Sequence, residues 1–457
     1  MANDGNRDDA NEGKTPEHAD SDRRDFLKVT GLGAAGVAAG LAGCTGPSDG
    51  GDGGDGGGGD GGDGGSGGLP DTIRVGALGP AEQSFGSSII KSVELAADEI
   101  NNDGGIGESG ATVEVVSGDT KDQPSVARQR YEEMTAGGNA VDATIGIFGS
   151  EQLLALMQNI AQKETVHLTA GSATPEAPAQ VKSDYDKYKY WFRVGPVNSS
   201  FLGDSLLQYA EDRFADMGWE RVAFVAEQYK WTEPVTRKIK NNLEDRADVT
   251  LTSARRVSEG TEDFSPVYDQ LESENVDGCF TALAHTGVNA LGQWAGQQRP
   301  FGFGGIHVPT QLPSFYEATS GAAIATFSQT TATPNAAVTE KTIPYAEAYN
   351  EANDAFPVYS GYSAYDAMYL LKEAIESAGT LNSDDLVTEL EATSYTGTSG
   401  QIEFYGEDKK YPHDVRYGAE YARGVYFQWQ QENGEGVQKT IWPDNLADAE
   451  YKKPPWV

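Results

Sequence analysis

The sequence predicts an α/β protein built as two doubly wound parallel-sheet lobes joined by a hinge. Three observations carry that prediction. Strand-like and helix-like runs alternate from Thr72 onward, the alternation restarts at Arg221, and "WFRVGPVNSSF", with Gly195 and Pro196, lies between the two series. Regular alternation argues for a mainly parallel sheet with helices on both faces. A Gly-Pro pair marks a turn where the chain can cross from one lobe to the other.

In the first series "TIRVGAL" reads as a strand, and the segment from Ser84 to Asn101 follows with Ile89, Val93, Ala97 and Ile100 at helical spacing. Asn101, Asn102, Asp103, Gly104 and Gly105 stop that helix. "TVEVV", a helix over 124–134, "DATIGIF", a helix over 153–162 and "TVHLTAG" complete the series. The second runs through "RVAFVAE", a helix over 233–244, "VTLTSARRV", a helix over 264–274, "GCFTALA", a helix over 287–297 and "FGGIHV". The amphipathic helix "YSAYDAMYLLKEAIESAG" and the aromatic strand "RGVYFQWQ" come later, too few to make a third domain, and are expected to add onto the two lobes.

Ahead of all this stand Arg23 and Arg24, an apolar Ala- and Gly-rich run from Val29 to Ala42, and Cys44. The run is shorter than the roughly 20 apolar residues a membrane helix needs, so a cleaved leader fits it better. It resembles a twin-arginine export signal ending in a lipobox, with Asp22 where Ser or Thr is usual, and the resemblance implies a diacylglyceryl group on the Cys44 sulfur. Residues 44–69 are almost only Gly and Asp. Such a segment cannot bury enough apolar surface to offset ordering entropy and reads as a flexible tether, with a reach of roughly 25–30 Å as a random coil. It lacks the apolar residue per turn that a calcium-binding β-helix repeat requires.

The chain carries 70 acidic and 34 basic residues, a formal net charge of −36. That argues against nucleic acid as a partner. In concentrated salt the Debye length shrinks to about 3 Å at 1 M, and the composition resembles that of salt-loving archaea, with the acids as a solvated coat rather than a metal store. Of two cysteines, lipidation would consume Cys44; Cys279, in "GCFTALA", then has no partner and reads as buried filler. "NSS" at Asn198 matches a glycan acceptor.

Open α/β sheets bind ligands beyond the carboxyl ends of their strands. After "DATIGIF" come Gly149, Ser150 and Glu151, placing Ser150 as a helix N-cap. After the next strand come Gly171, Ser172, Ala173, Thr174 and Pro175. Hydroxyls and helix N-termini at one sheet edge suit a small anion such as a carboxylate, although helix capping alone explains the same residues. The sequence has no GxxxxGK[ST] loop and no HExxH motif, and Gly76 and Gly79 lack dinucleotide-fingerprint spacing; no enzyme is expected.

The ordered set "IRVGALGP", "SFG", "DEIN", "GGI", "IGIFGS", "TAGSATPE", "YSAYDAMYLLKEAI" and "GVYFQWQ" resembles the leucine/isoleucine/valine-binding protein family, the type I solute-binding proteins of ABC importers. The likeness covers nearly all of residues 70–435. It implies the type I periplasmic binding protein fold, with lobe 1 made of 70–195 and 330–411 and lobe 2 of 196–329 and 412–457. It implies a ligand carboxylate held by Ser150 and by the loop of Ser172, Ala173 and Thr174, and a ligand body between Phe85 and Trp231. Thr310 falls where branched-chain binders carry an acid for the ligand ammonium, with Glu227 or Glu151 as substitutes. His285 falls near a position where relatives have a tyrosine, and Gly149 replaces one family cysteine. The resemblance further implies a small-molecule ligand, ABC permease subunits and the membrane, through the lipid anchor, as partners, and a monomer at the outer face of the cell membrane, without cofactor or metal. An alternative is a sensory receptor docking on a chemotaxis transducer.

Overall fold

The computed structural model describes residues 68–457; the export signal, Cys44 and almost all of the tether lie outside the described residues. The first series forms β1 (Thr72–Gly79), α1 (Ser84–Asn102), β2 (Thr112–Asp119), α2 (Pro124–Met134), β3 (Ala143–Gly146), α3 (Ser150–Lys163), β4 (Val166–Thr169), α4 (Glu176–Ser183), α5 (Tyr185–Tyr188) and β5 (Trp191–Arg193). Its strands make a five-stranded, wholly parallel sheet in the order β2-β1-β3-β4-β5. Helices cover both faces, so Val75, Ala77, Ile145 and Leu168 are fully buried.

The second series forms α6 (Ser199–Met217), β6 (Arg221–Glu227), α7 (Thr232–Ala247), β7 (Thr250–Val257), α8 (Ser265–Ser273), β8 (Gly278–Leu283), α9 (Gly287–Gly296), β9 (Gly302–His307), a short 3-10 turn (Val308–Gln311), α10 (Phe315–Ala318) and β10 (Phe327–Thr330). The chain then gives α11 (Thr342–Asn353), α12 (Tyr359–Ala378), α13 (Ser383–Glu391), β11 (Tyr395–Thr396) and β12 (Gln401–Ile402) before β13 (Val425–Glu432) and β14 (Glu435–Trp442). The second sheet runs β14-β13-β10-β9-β8-β6-β7.

Its β6 to β10 are parallel, but β13 pairs antiparallel with β10 and with β14, so this lobe is not wholly parallel. The hairpin turns at Asn433 (φ 53°) and Gly434 (φ 93°), both in the left-handed region that a type I′ turn demands.

α12 returns to the first lobe and packs along α1. The Ser360 hydroxyl donates to the Phe85 carbonyl at 2.6 Å, and the Tyr365 and Tyr369 hydroxyls converge on Glu99 Oε2 at 2.5 and 2.8 Å. Asp366, fully buried on α12, accepts from the Thr398 amide at 2.8 and 2.9 Å and from its hydroxyl at 2.8 Å. Burial pushes the Asp366 carboxyl up to about 7 against those donors. The folded chain therefore keeps a proton that the unfolded chain releases near 3.8, and stability falls as pH rises between those values. Asp366→Asn is expected to flatten the slope of melting temperature against pH across that window. An unchanged slope would contradict the assignment.

Asn198 is not a glycan acceptor in this fold. It is fully buried, its Oδ1 caps α6 by accepting from the Ser200 and Phe201 amides, and its Nδ2 donates to Asp414 Oδ2 at 2.6 Å. Cys279 lies in β8, free and fully buried, and burial pushes its thiol up. Among the described residues no helix is long and apolar enough to cross a membrane.

The chain passes between the sheets three times: from β5 to α6, from β10 to α11 and from β12 to β13. Arg193 ties the first and last crossings together. Its guanidinium, 0% exposed, meets Asp414 at 2.5 Å, and its backbone amide donates to the His413 carbonyl at 2.9 Å.

Candidate functional site

Each sheet contains one position where neighbouring strands send their connections to opposite faces, between β1 and β3 in the first and between β6 and β8 in the second. Open parallel sheets present their binding crevices there. The two rims face each other across a cavity of about 220 Å³. Polar approaches span it. Glu151 Oε1 accepts from the Lys230 amide at 3.1 Å, Lys230 Nζ lies 3.6 Å from Glu176, and His285 Nε2 lies 3.7 Å from Asp122 Oδ2.

On the first rim, β3 ends at Gly146 (φ 137°), where a Cβ would stand 2.1 Å from the Leu78 carbonyl oxygen. Only glycine permits that approach of β3 to β1. Ile147 follows with φ 65°, a left-handed conformation that costs a β-branched residue about 1–3 kcal/mol. Phe148 then lines the cavity, while Phe85 stacks behind it with ring centroids 3.8 Å apart. Phe85 is thus not among the lining residues, whereas Phe148 is.

Gly149 is the N-cap of α3 and Ser150 its first helical residue, so the expected capping role of Ser150 is corrected by one position. Ser150 lines the cavity at the mouth of the helix, where first-turn N–H groups lack intrahelical acceptors. The Ser172 hydroxyl donates to Ser150 Oγ at 3.4 Å, and Thr174 Oγ1 accepts from the Glu176 amide at 3.2 Å. Ser172 and Thr174 are fully buried and do not line the cavity, whereas Gly171 and Ala173 of that loop do. The Ser172 and Thr174 carbonyls are bound by the Arg193 guanidinium. The Ala173 and Thr174 amides donate to no acceptor among the described residues. The loop therefore gives two of its carbonyls to a buried cation and keeps the Ala173 and Thr174 amides free.

On the second rim, β6 ends at Glu227, which is 0% exposed and whose oxygens are filled. Oε1 accepts from His285 Nδ1 at 2.9 Å and Trp231 Nε1 at 3.1 Å; Oε2 accepts from the Ala284, His285 and Thr286 amides at 3.0, 2.9 and 3.3 Å. A carboxylate just ahead of α9 also sits well in the helix field. Burial raises the Glu227 carboxyl, but the His285 charge and these donors outweigh it and leave its pKa below the ordinary range. For His285 burial lowers the pKa, and Glu227, Asp122 and Glu259 outweigh that and raise it.

Trp231 lines the cavity, joined by Tyr229, whose ring stacks on His285 at 4.1 Å. Thr310 does not reach the cavity: it is fully buried, its hydroxyl donates to the His307 carbonyl at 2.6 Å, and its own carbonyl accepts from Trp429 Nε1 and Gln438 Nε2. The 3-10 turn presents its neighbour Gln311 instead, whose Oε1 accepts from the Tyr359 amide at 3.2 Å across the cleft.

Sequence reasoning missed Asp122, Phe148, Tyr229, Gln311 and Tyr359. Tyr229 and Gln311 each stand within two residues of a position that was singled out. Among the described residues no group of three or more His, Cys, Asp or Glu is placed to hold a metal ion.

The sequence profile of the family described as Periplasmic binding protein matches residues 72–419. The chain belongs to the periplasmic binding protein family. Comparison with curated proteins returns no match. Among solved structures, this family member is similar to the branched-chain amino acid transporter substrate binding protein LivJ from Streptococcus pneumoniae in complex with isoleucine: 17% identity over 81% of this chain and 100% of that one, TM-score 0.66. It is also similar to a putative branched-chain amino acid ABC transporter from Silicibacter pomeroyi, with 19% identity over 84% and 100% and a TM-score of 0.69. A third is a solute binding protein of an ABC transporter from Rhodopseudomonas palustris in complex with 3,4-dihydroxy benzoic acid, with 16% identity over 84% and 99% and a TM-score of 0.66. At these identities the structures show the shared fold of two α/β lobes.

Proposed function

We propose that this periplasmic binding protein is a lipid-anchored extracellular receptor that closes its lobes, 70–195 with 330–411 and 196–329 with 412–457, on an amino acid or amide and delivers it to an ABC importer. The observation that carries the reading is one cavity lined from both sheets: Phe148, Ser150 and Ala173 on one rim, Tyr229, Trp231 and His285 on the other. Free amides beside Ser150 suit a carboxylate, and the rings suit an apolar body. Contacts made only when both rims touch the solute shift the population toward the closed form. A tether through Cys44 would hold the receptor at high effective concentration near its permease.

A thermal-shift panel of amino acids, amides and short carboxylates in high salt tests this. A solute at 100 times its Kd is expected to stabilise the protein by about 2.7 kcal/mol. Ser150→Ala and Trp231→Ala are each expected to reduce the shift. A panel without any shift would overturn the reading, and full shifts in both variants would overturn the site.

A further inference from the structure

We infer that Asp122, on the loop after β2, is the acceptor for a solute ammonium group. The inference rests on the solute-binding reading above and deepens it by naming the charge the solute carries. The position where an acid was expected holds Thr310, which is buried away from the cavity. Glu227 cannot take that place, because His285, Trp231, Ala284 and Thr286 already occupy both its oxygens. Glu151 stands at the rim with one oxygen on the Lys230 amide, and Glu259 is exposed.

Asp122 is different in three respects. Its Oδ1 is fixed by Gln152 Nε2 at 2.6 Å, which sets the direction of the carboxylate. Its Oδ2 comes no nearer than 3.7 Å to His285 Nε2, beyond hydrogen-bond distance, and has no closer donor among the described residues. Its side chain is only 20% exposed, so a charge placed against it is partly shielded from water. Lys121 (φ 49°) and Asp122 (φ 55°) both adopt the left-handed conformation, and Asp and Asn tolerate it better than most residues.

The local charges point the same way. His285 engages Glu227, and the described residues lining the cavity include Asp122, Glu151 and Glu259 but neither Lys nor Arg. Asp122 keeps one carboxylate oxygen without a hydrogen-bond donor on the lining of that cavity. One ammonium group completes the set, whereas a simple carboxylic acid adds repulsion.

The test is calorimetric titration of the full chain in high salt with two matched pairs of probes: L-leucine against isocaproate and L-valine against isovalerate. Each pair shares a skeleton and differs in the ammonium group. The wild-type protein is expected to bind the amino acid of a pair at least about tenfold more tightly than its partner. Asp122→Asn is expected to weaken the amino acid about 10- to 100-fold, the range for a lost charge-assisted hydrogen bond, and to narrow the gap within the pair.

Asn keeps the left-handed turn, and an unchanged melting temperature without probe shows that the variant folds. Gln152→Ala, which frees the carboxylate, is a second variant expected to weaken amino acids in the same direction by less. Equal discrimination in Asp122→Asn and wild type overturns this inference alone. So does a wild-type protein that prefers the deaminated acids or binds only amides. If neither the probes nor the thermal-shift panel bind the wild-type protein, the proposed function falls, and this inference with it.

Discussion

Replacing Arg193 by Ala is expected to destabilise the protein by about 3–5 kcal/mol, the range for breaking a buried ion pair from one side. The guanidinium is 0% exposed and binds Asp414 and the carbonyls of Ser172 and Thr174. Its removal leaves a buried carboxylate with only the Asn198 amide and two buried carbonyls without their donor. Replacing Arg193 and Asp414 together by apolar residues of similar volume is expected to cost much less, since no charge is then stranded. Denaturant unfolding of the single and double variants checks both statements. A single-variant loss below about 1 kcal/mol would show that the pair does not hold the loop and the crossings together.

The second large effect is expected at Glu227. Glu227→Gln removes the charge that the backbone amides before α9, Trp231 and His285 all address, and about 3–5 kcal/mol should be lost. The His285 pKa should fall at the same time, because Glu227 is the strongest influence raising it against burial. A histidine raised in the folded state contributes stability at pH below its unfolded value, and loses it as pH rises through the folded value. That fall should shrink in the variant. Titration of the His285 ring by NMR reads the shift directly, and a pKa equal to that of wild type would contradict the contact.

The alternating core was legible because parallel strands covered on both faces are mostly apolar, as "TIRVGAL" and "DATIGIF" are. The crossover at Gly195 and Pro196 was legible from turn chemistry. The helix Ser199–Met217 was hidden by its polar residues, although Asn198 before it and Gly218 after it are ordinary capping residues. The antiparallel ribbon carried a signal that went unused: Asn433 and Gly434 between two alternating runs mark a two-residue hairpin.

The site was legible in part. Ser150, Ala173, Trp231 and His285 line the cavity, because loops at strand ends can be found once strands are. Which side chain of a loop faces inward cannot be read so simply. The left-handed turn at Ile147 puts Phe148 in front of Phe85, and the 3-10 turn after β9 puts Gln311 in place of Thr310. Asp122 escaped notice because it is one of 70 acidic residues, and only its partial burial and its place opposite His285 set it apart.

Hydrogen–deuterium exchange in high salt, with and without saturating L-leucine, L-isoleucine and L-valine, asks whether one solute engages both rims. Protection is expected together in 148–153 and 171–174 of the first rim and in 227–231 and 284–287 of the second. Protection confined to one rim, or absent from both, would contradict a cleft that closes on its guest.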